Sequence, residues 1–155
     1  MNLTSRSFSA PGFADWLEVV KTYSACERVL TSRTSSIGLS LAQHDVLAAL
    51  ESSGALRSVD LAQRLFVTKS NVTALLGRMQ RDGLVSITPD LEDGRAKRVS
   101  ATKKGRGLVV RTLEAQQEVV AGMVAQLTTD ERQALGDMMR RVRGHLETVA
   151  ASDAP

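Results

Sequence analysis

From Phe13 onward, apolar residues recur every three or four positions, the period of a helix with one face turned inward. The first such stretch carries two stripes: Phe13, Leu17 and Val20 form one, and Trp16, Val19, Tyr23, Cys26 and Leu30 form the other. Two stripes give a broader apolar surface than one packing face requires. This helix is therefore expected to end near residues 34–38 and to be buried against a second subunit. SLAQ at 40–43 has the form of a Ser-x-x-Gln capping box. An apolar face of Leu41, Val46, Leu47 and Leu50 follows, and SSG at 52–54 stops this short helix. Ser58 is placed to cap a third helix with Leu61, Ala62 and Leu65 inward. FVT at 66–68 is a tight connection. Thr68 then caps a fourth helix, residues 69–82, whose Val72, Leu75, Leu76 and Met79 stand at i, i+3, i+4 and i+7. Gly83 suits the place just past a helix end, where φ is positive.

After Gly83 the pattern shortens. Residues 84–88 are short and β-branched, Pro89 follows, and Asp93-Gly94 is a hairpin turn signal. Residues 98–101 return as the second strand. Thr102 then starts a long helix with Val109, Leu113, Val120, Met123 and Leu127 along one side. TTDE at 128–131 is a second capping box, and the last helix carries Leu135, Met138, Val142, Leu146 and Val149. Residues 1–12 are Ser-rich, end in Pro-Gly and read as a flexible arm. The predicted fold is mainly α with a small β-hairpin wing. A winged helix-turn-helix spans 38–102, flanked by helical regions at 13–37 and 103–150.

Composition narrows this picture. Aromatics make up 3% of the chain, so the core must be aliphatic. No apolar run approaches the ~18 residues that cross a bilayer, and the N-terminus lacks the apolar core of a secretory signal. Cys26 stands alone, so no internal disulfide is available. A cytoplasmic protein with no membrane partner is expected. The net charge is +3, but residues 57–111 hold 12 Lys and Arg against 5 Asp and Glu, while the remainder holds 8 against 12. A basic middle between acidic ends fits a polyanion partner, or simply a solvated basic face.

The candidate chemistry lies on the fourth helix and the hairpin. Opposite the apolar face of 69–82 stand Lys69, Ser70, Asn71, Thr73, Arg78 and Arg81. A major groove admits a helix whose N-terminal side chains meet base edges. Ser70, Asn71 and Thr73 are short hydrogen-bonding groups suited to bases; Lys69 suits a phosphate. They are equally ordinary residues for a helix start. The hairpin adds Arg95 beside its turn glycine and Arg98 on the returning strand. A wing Arg is favoured in a narrow minor groove, and Asp93 can hold a nearby Arg in one rotamer. Asp90 and Glu92 have no role beyond keeping the tip soluble. No Gly-rich phosphate loop and no HxxxH or CxxC spacing appears, so neither an enzyme nor a metal or cofactor site is expected.

The segments SVDLAQRLFVTKSNVTALLGRMQRDGLV (58–85) and DGRAKRVSATKKG (93–105) resemble the MarR family of bacterial transcription regulators. The wing signature of that family, Asp-x-Arg followed by Leu-Thr-x-x-Gly, is matched by Asp93, Arg95, Thr102 and Gly105, with Ala101 in place of the Leu. Phe66 stands where a turn glycine is frequent. The resemblance implies a homodimer, with 13–37 and 103–150 as its helical dimerisation region, on a pseudo-palindromic double-stranded operator, with Arg95 in the minor groove and Asp93 orienting it. It implies a regulator, taken here as a repressor, that a small aromatic or phenolic effector relieves. Trp16, Tyr23 and His44 are candidate lining groups, although stripe packing accounts for the first two and a core-edge position for His44. Two alternatives stand beside this: redox sensing through Cys26, and a winged-helix module that binds a small molecule or protein and no longer binds DNA.

Overall fold

A computed structural model describes residues 11–90, 93 and 96–152. The arm expected over 1–12 falls almost wholly outside these residues, as does Arg95. The element order is α1 (Phe13–Ile37), α2 (Leu41–Ser53), β1 (Leu56–Arg57), α3 (Ser58–Arg64), α4 (Lys69–Arg81), β2 (Val85–Pro89), β3 (Lys97–Ala101), α5 (Lys103–Val124) and α6 (Thr129–Ser152). By compactness the chain divides between Gln117 and Glu118.

The caps read from sequence hold at α2 and α4. Ser40 accepts from the Gln43 amide while the Gln43 side chain accepts from the Ser40 amide, and the Thr68 hydroxyl accepts from Asn71. α1 ends at Gly38 and α4 is followed by Gly83, both with positive φ. Two details differ from expectation. Ser58 is the first residue of α3 and Arg57 occupies the cap. Arg57 is extended because it belongs to β1, a strand too short to leave a periodic signature. The wing is thus a three-stranded antiparallel sheet in the order β1-β3-β2, with Leu56 opposite Val99 and Ile87 opposite Val99 on the other side.

The core of the first unit is aliphatic, as the low aromatic content requires. Leu39, Val46, Leu47, Leu61, Val72, Leu76, Met79, Val99 and Val109 are fully buried and belong to one cluster. α5 is locked to the end of α4 by Thr102. Its hydroxyl donates to the Gly83 carbonyl at 2.7 Å and accepts from the Gly105 amide at 3.1 Å. Gly105 is required here: a Cβ at this position would collide with the Leu84 carbonyl. Thr102 and Gly105 therefore form one joint between the wing and α5.

In the second unit, α6 starts on the capping box Thr128/Glu131. It buries none of its residues, and Leu135, Met138, Val142, Leu146 and Val149 stand exposed along it. In the first unit, α1 likewise exposes Trp16, Val19, Val20 and Tyr23. Among the described residues no helix is long and apolar enough to cross a membrane.

Candidate nucleic-acid interface

Helix α4 divides cleanly into two faces. Val72, Leu76 and Met79 are buried, and Lys69, Ser70, Asn71, Thr73, Arg78 and Arg81 are exposed. The inward face docks the helix on the core, so the polar face is presented at a fixed angle. Its hydroxyls are already partly engaged. Thr73 donates to the Lys69 carbonyl at 2.8 Å, and Ser70 meets the Thr68 hydroxyl at 3.0 Å. Each hydroxyl oxygen keeps acceptor capacity for an outside donor. The Asn71 side chain is exposed at the first turn.

Between α4 and the wing runs a cleft of about 500 Å³ lined by, among others, Arg57, Lys69, Thr73, Gln80, Asp93 and Lys97. Of the residues expected from sequence, Lys69, Thr73 and Asp93 are brought together around this cleft. Lys97 and Gln80 join them without having been anticipated. Arg78 lies on the exposed face of α4 outside the lining. Arg98 is turned elsewhere, toward Asp90 at 3.3 Å and the Ala55 carbonyl at 3.4 Å.

Asp90 reverses its expected role. Read as a solubilising charge, it is in fact 3% exposed. Its carboxylate accepts from Arg57 Nε at 3.1 Å and Nη2 at 3.2 Å, from Arg98 Nη1 at 3.3 Å and from the Asp93 amide at 3.1 Å. A buried carboxylate needs such partners to offset its desolvation. Asp90 thereby ties β1, β3 and the start of the tip together. Asp90 holds Arg57 and Arg98 in the way the sequence suggested for Asp93 and Arg95. Whether Asp93 also meets Arg95 lies outside the described residues. Nothing in the local sequence marks Asp90 for burial, because Arg57 is 33 positions away.

A second buried polar group lies between α2 and α5. His44 is 1% exposed, with Nδ1 2.8 Å from the Thr112 hydroxyl and Nε2 3.3 Å from Gln116 Oε1. The Thr112 hydroxyl also lies 3.0 Å from the Val109 carbonyl, so it bridges His44 and α5 backbone. His44 borders a shallow cleft of about 310 Å³ with Asp45, Ala48, Ser52, Arg64 and Gln116. Desolvation of its carboxyl raises the pKa of Asp45, and His44 opposes this in part, although Asp45 as a residue is largely exposed. Trp16 and Tyr23 do not line this cleft; they stand exposed on α1. Cys26 is a half-buried free thiol on the same helix.

The sequence model of the MarR family matches residues 37–96, which hold α2, the helix-turn-helix and most of the wing. Over that span the chain is similar to the MarR family. The transcriptional activatory protein BadR of Rhodopseudomonas palustris is 40% identical over 79 residues, 49% of this chain and 45% of BadR. The chain spans about half the length of the first curated relatives it matches: 45% of BadR, and 55% of the regulator PrsX of Escherichia coli. Among solved structures, a MarR mutant from E. coli complexed with operator DNA superposes with a TM-score of 0.77 at 22% identity, covering 92% of this chain and 99% of that one. The organohalide-sensing regulator RdhR-CbdbA1625, in its 2,4-dichlorophenol-bound form, gives 0.79 at 25% identity, covering 94% and 85%.

Proposed function

We propose that this protein is a sequence-specific DNA-binding transcription regulator, acting as a homodimer that represses its target. The observation that carries the reading is the exposed polar and basic face of α4, set across a cleft from a wing that adds Lys97 and Arg57. Lys69, Ser70, Asn71, Thr73 and Arg78 supply the major-groove and phosphate contacts. Arg95 and Asp93 supply the wing contact. Arg98 acts through Asp90 by holding the wing in place.

The homodimer follows from uncovered apolar surface. Trp16, Val19, Val20 and Tyr23 on α1 are exposed in the first unit, and the Leu135–Val149 stripe of α6 is exposed in the second. Contiguous apolar surface of this kind marks an interaction site. A two-fold dimer reads half-sites about one helical turn, roughly 34 Å, apart. Relief by a small aromatic or phenolic effector completes the reading. Such a ligand acts by binding better to a dimer whose two reader helices misfit the operator.

The alternative of a winged helix that has lost DNA binding drew on Phe66 and the acidic wing. Asp90 is buried between two guanidinium groups, so one of the three acidic charges counts less toward it. Redox sensing rests on the half-buried free thiol of Cys26.

Fluorescence-anisotropy titration with DNA from upstream of its own gene tests the proposal. Binding well above that to random duplex, falling steeply as salt rises through counterion release, is expected. Equal affinity for both duplexes at physiological salt would overturn it.

A further inference from the structure

The turn between α3 and α4 carries two unfavourable features on one residue. Phe66 has φ +53, and it is the one non-glycine residue with positive φ among those described. Its ring is also 87% exposed. The left-handed backbone is imposed by the way α3 closes. The amides of Leu65, Phe66 and Val67 donate to the carbonyls of Leu61, Gln63 and Ala62, and the residue at the reversal must then enter the left-handed region, where glycine fits best. A phenylalanine there strains the backbone and leaves an aromatic ring in water. Neither feature helps the free protein fold, and the ring joins no aromatic pair among the described residues.

The place of this residue suggests what covers it. Phe66 begins an unbroken run of exposed positions, 66–71, that leads through the Thr68 cap into Lys69, Ser70 and Asn71. When a helix-turn-helix docks, the first helix crosses the backbone and the start of the second meets base edges. The turn between them is then carried to the rim of the major groove. The apolar surface available there is the C5-methyl of thymine and the carbons of deoxyribose. Local strain that the fold does not need is a pointer to function. We infer that Phe66 is an apolar DNA contact, packing its ring on the duplex at the rim of the groove beside the α4 N-terminus. The inference rests on the DNA-binding reading above and names a residue of that interface.

The test compares the full-length wild type with Phe66→Gly and Phe66→Asn. Both replacements tolerate positive φ, so both variants retain the turn. Thermal melting should show Phe66→Gly at least as stable as wild type. Affinity for the upstream duplex should fall about tenfold, as loss of a buried aromatic contact implies. The slope of log affinity against log salt should stay unchanged, since the ring neutralises no phosphate. Deoxyuridine in place of thymine then separates the sources. If wild type loses affinity and Phe66→Asn does not, the ring meets a thymine methyl; if both respond alike, it meets sugar. Variants that melt like wild type and bind the duplex indistinguishably from it would overturn the inference while leaving the DNA-binding function intact. Capture by Phe66 of a protein partner, with DNA affinity unaltered, would also overturn it. Failure of wild type itself to prefer the upstream duplex would remove the function and the contact together.

Discussion

Arg57 grips the buried carboxylate of Asp90 with two nitrogens, at 3.1 and 3.2 Å, and so joins the start of α3 to the far end of β2. Arg98 reaches the same carboxylate from β3 at 3.3 Å. Three strands and the tip thus share one anion. Asp90→Asn keeps the shape but removes the anion shared by two partly exposed arginines. It should destabilise the protein by about 1.5–3 kcal/mol, the scale of a hydrogen bond to a charged group, because no buried charge is left without a partner. Urea denaturation measures this. Wild-type stability in the variant would show that the cluster contributes nothing to holding the wing.

Much of the fold was legible because it rests on period and on caps. Val72, Leu76 and Met79 announce the docking face of α4, and Thr68 and Gly83 mark its ends. The joint of Thr102 and Gly105 was legible as a motif, and its reason is now visible: one side chain and one missing side chain let α5 start against the α4 turn. Asp90 was not legible. Its burial depends on Arg57, which is distant in sequence and sits in a strand of two residues that no alternation can reveal. Arg98 was read as a DNA contact because charge can be counted from sequence while direction cannot. Arg95, the probe that sequence favoured, lies outside the described residues, so its placement rests on the family pattern.

Gly105→Ala tests that joint. An added methyl would meet the Leu84 carbonyl and press on Leu47. Backbone cannot give way as a flexible side chain can, so the first turn of α5 must shift. A loss of about 1–3 kcal/mol, typical of overpacking, should appear in thermal melts. An unchanged melting temperature would mean that the close approach is absent in solution.

The His44–Thr112 bond makes a separate prediction about α2 and α5. Thr112→Val keeps the volume but removes the hydroxyl partner of His44 Nδ1. An unsatisfied buried polar group costs about 1–3 kcal/mol. The double variant with His44→Phe should lose less than the sum of the two single changes, because Nδ1 is then no longer stranded. A double-mutant cycle measures this coupling, and strict additivity would show that the two side chains do not interact.

On α4, two neighbouring residues should fail in different ways. Lys69→Ala removes a phosphate contact, so affinity should drop alike on all sequences and the salt slope should fall by about 1. Asn71→Ala should leave the slope alone but cost about 1–3 kcal/mol of discrimination at one operator position. Titrations at several salt concentrations, on the upstream duplex and on single-base variants of it, separate the two. If Asn71→Ala weakens every duplex equally, Asn71 is a backbone contact and the base assignment moves to Ser70 or Thr73.

The start of α6 supplies a pH-dependent prediction. The Thr128 amide and hydroxyl both donate to one Glu131 carboxylate oxygen at 2.8 Å. These bonds, the backbone one foremost, hold the Glu131 pKa below its ordinary value of 4.5. A depressed carboxylate stabilises the folded helix above the unfolded-state pKa, and that stabilisation disappears as pH falls through the lowered folded-state value. Glu131→Gln can still accept from Thr128 but carries no charge toward the helix N-terminus. The variant should therefore melt below wild type at neutral pH, and the gap should close once the medium is acidic enough to protonate Glu131. Because the side chain is fully exposed, salt should also narrow the gap at neutral pH. Circular-dichroism melts across the acid range check both trends. A gap that persists unchanged into acid would trace the effect to the shape of the cap and not to its charge.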